Sequence, residues 1–136
     1  MEILKVKTEK RLIADIGELA AAKYLKKNKY KILEKNYVQS DSEIDIIAQN
    51  SEYIAFIEVK TRTIGKENSC EPRPASSVTP DKQRKIINCA KYFLATYQKT
   101  KKVRFDVIEV LLDEKKKVVN LNYLEAAFNM NTAYNR

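Results

Sequence analysis

The sequence predicts an α/β fold, a mixed β-sheet of about five strands flanked by helices in the order α-β-β-β-α-β-β. Three observations lead there. Apolar residues switch along the chain between helical spacing and near-alternation. Only two glycines and three prolines interrupt 136 residues, so most of the chain belongs to regular elements. Three strand-like segments follow one another through short polar turns, and a helix then separates the third from the fourth.

From about Lys10 to Asn28 the pattern is helical. Ile13, Ile16, Ala20 and Tyr24 recur at helical spacing, "LAAAKYLKK" has strong helix propensity, and the last turn is rich in lysine, which suits the dipole. "YKILEKNYV" reads as a strand with Tyr30, Ile32 and Val38 as buried positions. "SDS" is a turn, "EIDIIAQ" a second strand, "NSE" a turn and "YIAFIEVKTR" a third strand. Such short connections predict an antiparallel meander. Residues 63–78 form the long irregular stretch, carrying Gly65, Pro72 and Pro74. A second helix opens with Thr79 as N-cap, Pro80 at the first helical position and Asp81 against the dipole. Ile86, Ala90, Phe93, Leu94 and Tyr97 line one of its faces. "VRFDVIEVLL" is the fourth strand, reached through a helix and therefore expected parallel to the third with a right-handed crossover. "DEKKK" is a turn, "VVNL" a short last strand, and "NYLEAAF" one or two helical turns. The whole chain, 1–136, is expected to form one domain, with about nine N-terminal and about eight C-terminal residues flexible.

Composition narrows the function. Hydrophobic residues at 44% and charged residues at 32% suit a soluble globular chain. No apolar run is long enough to span a bilayer, so no membrane association is expected. "MEILKVKTEK" lacks the apolar region of a signal peptide, and the expected location is cytoplasmic. Cys70 and Cys89 show no metal-type spacing and read as free thiols. Histidine is absent, which excludes His-based triads, HNH-type nucleases and HExxH metalloproteases. Acid, base and metal work must fall to Asp, Glu, Lys and Tyr. The net charge of +8 and pI near 9.4 fit either a solvated basic surface or a polyanionic partner, for which nucleic acid is the natural choice.

The chemistry concentrates around "FIEVKTR", Phe56 to Arg62. Glu58 and Lys60 point to one face of the strand, while Ile57 and Val59 point to the other. Asp45, between Ile44 and Ile46, approaches Glu58 or Lys60 if the second and third strands pair through "NSE". Two converging carboxylates repel unless a cation lies between them, and a hard ion such as Mg²⁺ takes oxygen ligands. A nearby lysine can orient a water or stabilise charge developing on a phosphate. The plainer reading is a half-exposed Glu-x-Lys strand with Asp45 as its cross-strand salt-bridge partner. Glu18 sits on the first helix among Ala14, Ala21 and Ala22, which is not a typical solvated face, so its carboxylate should meet something charged. Gln83 extends the Ile86/Ala90 face and needs partners there, or else caps the sheet edge. Asp106 reads as an ordinary polar residue at a strand start, and Glu43 as a turn residue or an outer acid. Lys26, Lys27, Lys29, Lys31 and Lys35 read as a solvated face, and Tyr24, Tyr30 and Tyr37 as packing residues.

Asp45 followed by Glu58-Val59-Lys60 in adjacent strands, after a helix bearing Glu18, resembles the PD-(D/E)xK nuclease core. "GELAAAKYLKKNKYKILEKNY", "EIDIIA", "FIEVKTR", "SVTPDKQRKI" and "RFDVIEV" together resemble the YraN family of predicted endonucleases, similar to archaeal Holliday junction resolvases. The resemblance runs from about Asp15 to Phe128. It implies a restriction-endonuclease-like core and a metal-dependent endonuclease that hydrolyses DNA phosphodiester bonds, including those at branched or junction structures. It also implies Mg²⁺ or Mn²⁺ as cofactor, nucleic acid (DNA) as partner, and a homodimer. By position, Asp45 and Glu58 would be the metal-binding acids and Lys60 the lysine of the ExK element. Glu18 would match the helix-one glutamate and metal ligand of resolvase-like members, and Gln83 the polar residue on the following helix. Arg62, Lys82 and Arg84 would contact nucleic-acid phosphates. Asp41-Ser42 stands where the family often has two glycines, and Ala14 where relatives usually have one. The alternative is a non-catalytic nucleic-acid-binding module of the same fold.

Overall fold

The structure, a computed structural model, describes residues 7–65 and 78–130. Cys70, Pro72, Pro74 and most of the irregular 63–78 stretch lie outside these residues, as do most of the terminal segments expected to be flexible.

Helix α1 (Glu9–Lys27) starts where Thr8 leaves extended backbone and its side chain accepts a hydrogen bond from Arg11 N at 3.0 Å. Strands β1 (Lys31–Gln39), β2 (Ser42–Gln49) and β3 (Tyr53–Thr63) form the antiparallel meander. The β1–β2 turn needs no glycine, because Ser40 adopts φ 57 and Ser42 Oγ donates back to Gln39 O at 3.2 Å. Helix α2 (Pro80–Thr96) opens on the expected cap, with the Thr79 side chain accepting from Lys82 N. It crosses to β4 (Lys102–Leu112), which runs parallel to β3 from Tyr53↔Lys102 to Thr63↔Leu112. β5 (Val118–Phe128) closes the sheet, whose order is β1-β2-β3-β4-β5.

Each helix covers one face. On the α2 side Ile44, Ile54, Phe56, Phe105 and Val107 pack beneath Ile86, Ile87 and Ala90. On the α1 side Ile46, Ala55, Ile57, Ile108 and Val110 pack beneath Ala21, Ala22 and Leu25. This is the mixed α/β arrangement expected, consistent with a restriction-endonuclease-like core. The central strands lie between two apolar layers, so a charged side chain on either face of β3 is conspicuous.

Four local expectations change. The deepest row of α1 is Gly17, Ala21, Ala22 and Leu25, while Ile13, Ile16 and Ala20 flank it half-buried. Val38 is 59% exposed on the edge strand rather than buried. "NYLEAAF" continues β5 instead of forming helix, because β4 offers a full-length edge whose backbone groups need partners. Its helix propensity is overridden by that pairing, with a bulge near Ala126 at φ 53. Asp106 is not an ordinary polar position. It is fully buried and accepts from Arg104 Nε, Tyr123 Oη and, at 2.9 Å, Ala126 N; Arg104 in turn reaches Tyr30. The network satisfies a buried charge and holds the bulge that the helix-like tail requires.

Gly17 decides how close α1 comes to the sheet. A Cβ there would lie 1.8 Å from Thr61 Oγ1 and 2.9 Å from both Thr61 Cβ and Thr61 Cγ2. Gly17→Ala is therefore expected to destabilise the fold by about 1–3 kcal/mol, beyond the roughly 1 kcal/mol that alanine gains in helix propensity. Urea melts check this, and Thr61→Ala in the same chain should recover part of the loss by removing Oγ1 and Cγ2. The same close approach brings the neighbouring residue, Glu18, onto the sheet.

Candidate active site

β2 and β3 pair from Gln49↔Ile54 to Ile46↔Ile57, and the ladder then stops although both strands continue. Past that point Val59 N–H finds no β2 carbonyl and instead donates to Asp45 Oδ2 at 2.8 Å. Alternation also breaks here: Ile44 packs on the α2 side and Ile46 on the α1 side, although residues two apart normally share a face. Asp45 thus turns toward β3 at the opening between the strands. Glu58 approaches from the α2 face and Glu18, carried by α1, from the other. Asp45, expected near Glu58 or Lys60, lies close enough to Glu58 for its charge to act on that carboxyl.

The electrostatics agree with a crowded acidic opening. Burial, then the Asp45 charge, pushes the Glu58 carboxyl up to about 7, while Lys82 and Lys60 pull it down. Burial also raises Asp45, opposed by the Val59 N–H bond. Burial and then Asp45 raise Glu18, one oxygen of which accepts from Asn36 Nδ2 at 3.2 Å. Glu43 adds negative potential at all three carboxylates.

The basic residues divide. Lys60 and Lys82 both act on Glu58, and Lys82 Nζ lies 3.9 Å from Glu58 Oε2. Arg62 lies on the same face of β3, but one terminal nitrogen pairs with Glu109, a β4 acid only 6% exposed. Its first partner is therefore this internal carboxylate, and its Nε is buried without a hydrogen bond among the described residues. Arg84 reaches Asp81 at 3.3 Å on the exposed first turns of α2. Gln83 Nε2 donates to Val78 O at 2.8 Å, while its Oε1 is buried with no hydrogen-bond partner among the described residues. That amide caps the segment entering α2 rather than the sheet edge, and it retains a buried acceptor beside the turn that carries Lys82.

A family model described as the uncharacterised protein family UPF0102 matches residues 17–110, a span running from Gly17 to Val110 and including every acid just described. The chain belongs to UPF0102. This is the YraN family that the sequence blocks resemble. Among similar proteins, a UPF0102 protein of Clostridium perfringens is 44% identical over 90% of this chain and 98% of its own length. One from Caldanaerobacter subterraneus subsp. tengcongensis is 40% identical over the same shares. One from Chlorobaculum parvum is 48% identical over 82% of this chain and 88% of its own.

In this UPF0102 chain Asp45 and Glu58 are the carboxylates that could hold a cation, as a pair rather than a closed cage. Among the described residues no group of three or more Cys, Asp or Glu side chains forms a ready metal shell. Mg²⁺ commonly binds through one or two carboxylates, completing its shell with waters and substrate phosphate oxygens. Asp45 and Glu58, half-buried and both raised, Glu58 in part by the Asp45 charge and Asp45 in part by Glu43, are carboxylates whose charged forms a cation would favour.

Asn36 and Glu109 are the residues that sequence reading missed. Asn36 carried a weak signal, a residue disfavoured in strands lying opposite the Asp45 region. Glu109 carried a stronger one: an acid inside "VIEVLL", two residues past Val107 on a core-facing row. Among the described residues no helix is long and apolar enough to cross a membrane.

Proposed function

We propose that this chain is a metal-dependent endonuclease hydrolysing DNA phosphodiester bonds, with branched DNA among its substrates. The observation that supports the reading best is Asp45 and Glu58 meeting where β2 and β3 part, with Lys60 and Lys82 acting on Glu58. A salt-bridged strand would lower its carboxyls; here burial, with the Asp45 charge at Glu58 and the Glu43 charge at both, raises them despite Lys82.

Asp45 and Glu58 would hold Mg²⁺ or Mn²⁺, which supplies charge neutralisation at a phosphate oxygen and a lower pKa for bound water. Asp45 is held for that role by Val59 N–H, so its second oxygen stays oriented. Lys60 would stabilise the negative charge that develops on the phosphate oxygens as water attacks phosphorus and the P–O bond to the leaving sugar oxygen breaks. The attacking water gives up a proton to solvent as the new P–O bond forms, and the leaving oxygen takes one up. Gln83 Oε1 offers a buried acceptor to water or to a substrate donor. Lys82 and Arg84 hold the backbone without reading bases, Arg62 supports the face through Glu109, and the net charge of +8 extends the attraction. A groove of ≈ 450 Å³ between the β1–β2 turn and α2, lined by Lys82 and Lys85 on one side and Asp41 and Glu43 on the other, adjoins this surface.

The test is a panel of four-way junction, flap, single-stranded and duplex DNA incubated with Mg²⁺ or Mn²⁺, beside Asp45→Ala. Metal-dependent cleavage by the native protein, lost in the variant, is expected. Binding without cleavage by both proteins would instead favour the non-catalytic module.

A further inference from the structure

We infer that Asn36 is the positioning residue for Glu18, holding that acid at the opening through one of its oxygens. The inference rests on the nuclease reading above and extends it to a residue outside the acid–lysine set. Three features of Asn36 converge. It lies in β1 between Lys35 and Tyr37, which pair with Ile46 and Ile44, so it faces the strand position of Asp45. Its φ is 52, a left-handed conformation that asparagine tolerates better than most residues and that an uninterrupted strand does not use. Its side-chain amide donates to Glu18 Oε1 at 3.2 Å, across 18 residues of sequence and partly buried from water.

These features act together. The left-handed residue departs from the strand path where β2 departs from β3, and the side chain it turns reaches the carboxylate carried by α1. Glu18 has no basic partner at hydrogen-bond distance among the described residues; its nearest fixed partner is this neutral amide. A neutral donor fixes the carboxylate without cancelling its charge, whereas a lysine there would compete with a cation. The bond takes one lone pair of Oε1, so Glu18 keeps acceptor capacity toward a cation held by Asp45 and Glu58. Backbone strain of this kind is retained where surrounding structure over-determines it, commonly at functional sites.

Asn36→Gly separates the side chain from the backbone, because glycine keeps positive φ without steric strain. Mn²⁺ uptake is measured by titration calorimetry on the full chain, and the Mn²⁺ concentration for half-maximal cleavage on the best substrate of the panel. Asn36→Gly is expected to weaken Mn²⁺ binding about tenfold and to raise the half-maximal concentration alike, as loss of an outer hydrogen bond does elsewhere. Its melting temperature should stay close to that of the native protein, and its DNA affinity in Ca²⁺ should be unchanged. In a double-mutant cycle, adding Asn36→Gly to Glu18→Gln should weaken Mn²⁺ binding no further, since Asn36 acts through Glu18. Native Mn²⁺ affinity in Asn36→Gly, or fully additive effects in the cycle, would overturn the inference while leaving the nuclease reading intact. Failure of the native protein to take up Mn²⁺ would overturn both.

Discussion

Lys60→Ala is expected to lower DNA cleavage by about a hundred- to a thousandfold, the usual loss when one pre-positioned charge at a developing oxyanion is removed. Fold and binding should survive. Lys60 is only partly buried at the end of β3, behind which Ile57 and Val59 supply the packing, and the net charge of +8 leaves most of the attraction for DNA in place. The expected signature is a fall in kcat with KM, melting temperature and salt dependence of binding nearly unchanged. Full cleavage by Lys60→Ala would remove Lys60 from the chemistry and with it the assignment of this face.

Glu58→Gln should separate stability from activity in the opposite direction. The Glu58 carboxyl is raised to about 7 in the folded chain and returns to the ordinary range, about 4.3, on unfolding. Between those values the folded state binds a proton that the unfolded state has released. Stability contributed by the protonated form is therefore full below about 4.3 and declines as pH rises to about 7. The shift corresponds to about 1–3 kcal/mol for a side chain 17% exposed. In metal-free buffer the native protein should lose that stability between pH 4 and 8, and Glu58→Gln should flatten the profile and melt higher at pH 8. Mg²⁺ should raise the melting temperature of the native protein and leave that of the variant nearly unchanged. A steep pH profile that persists in Glu58→Gln would show that another group carries the titration. The variant should cut poorly while folding better, as expected where charge is buried for use rather than for stability.

Local signals carried most of the elements. Thr79-Pro80-Asp81 writes a helix start in three residues, and the α2 cap forms as that chemistry requires. "EIDIIAQ", "NSE" and "YIAFIEVKTR" specify a hairpin through alternation and a short turn, and β2 and β3 pair there. Glu58 and Lys60 stood out as charges interrupting a core strand, and Glu18 as an acid on a small-residue helix face. Such outliers are legible because they contradict their surroundings. The tail was not legible: "NYLEAAF" has helical preferences, and only the unpaired edge of β4, together with Asp106 holding the Ala126 bulge, makes it a strand. Arg62 illustrates the same limit. Its place on the Lys60 face follows from alternation, but its partner is set by Glu109, 47 residues on.

By itself, the sequence determined the α/β order, the antiparallel meander, the parallel crossover and the face of β3 on which Glu58 and Lys60 lie. These depend on periodicity, caps and turn residues, which act over a few neighbours. Only the tertiary structure decided where β2 and β3 part, that Asp45 caps Val59 N–H, and that Glu18 is held by Asn36. Those contacts join residues 14 and 18 positions apart through backbone that leaves ideal geometry, and a helix seated by the missing side chain of Gly17. Their energies depend on distance and burial, quantities that exist only once the layers have packed.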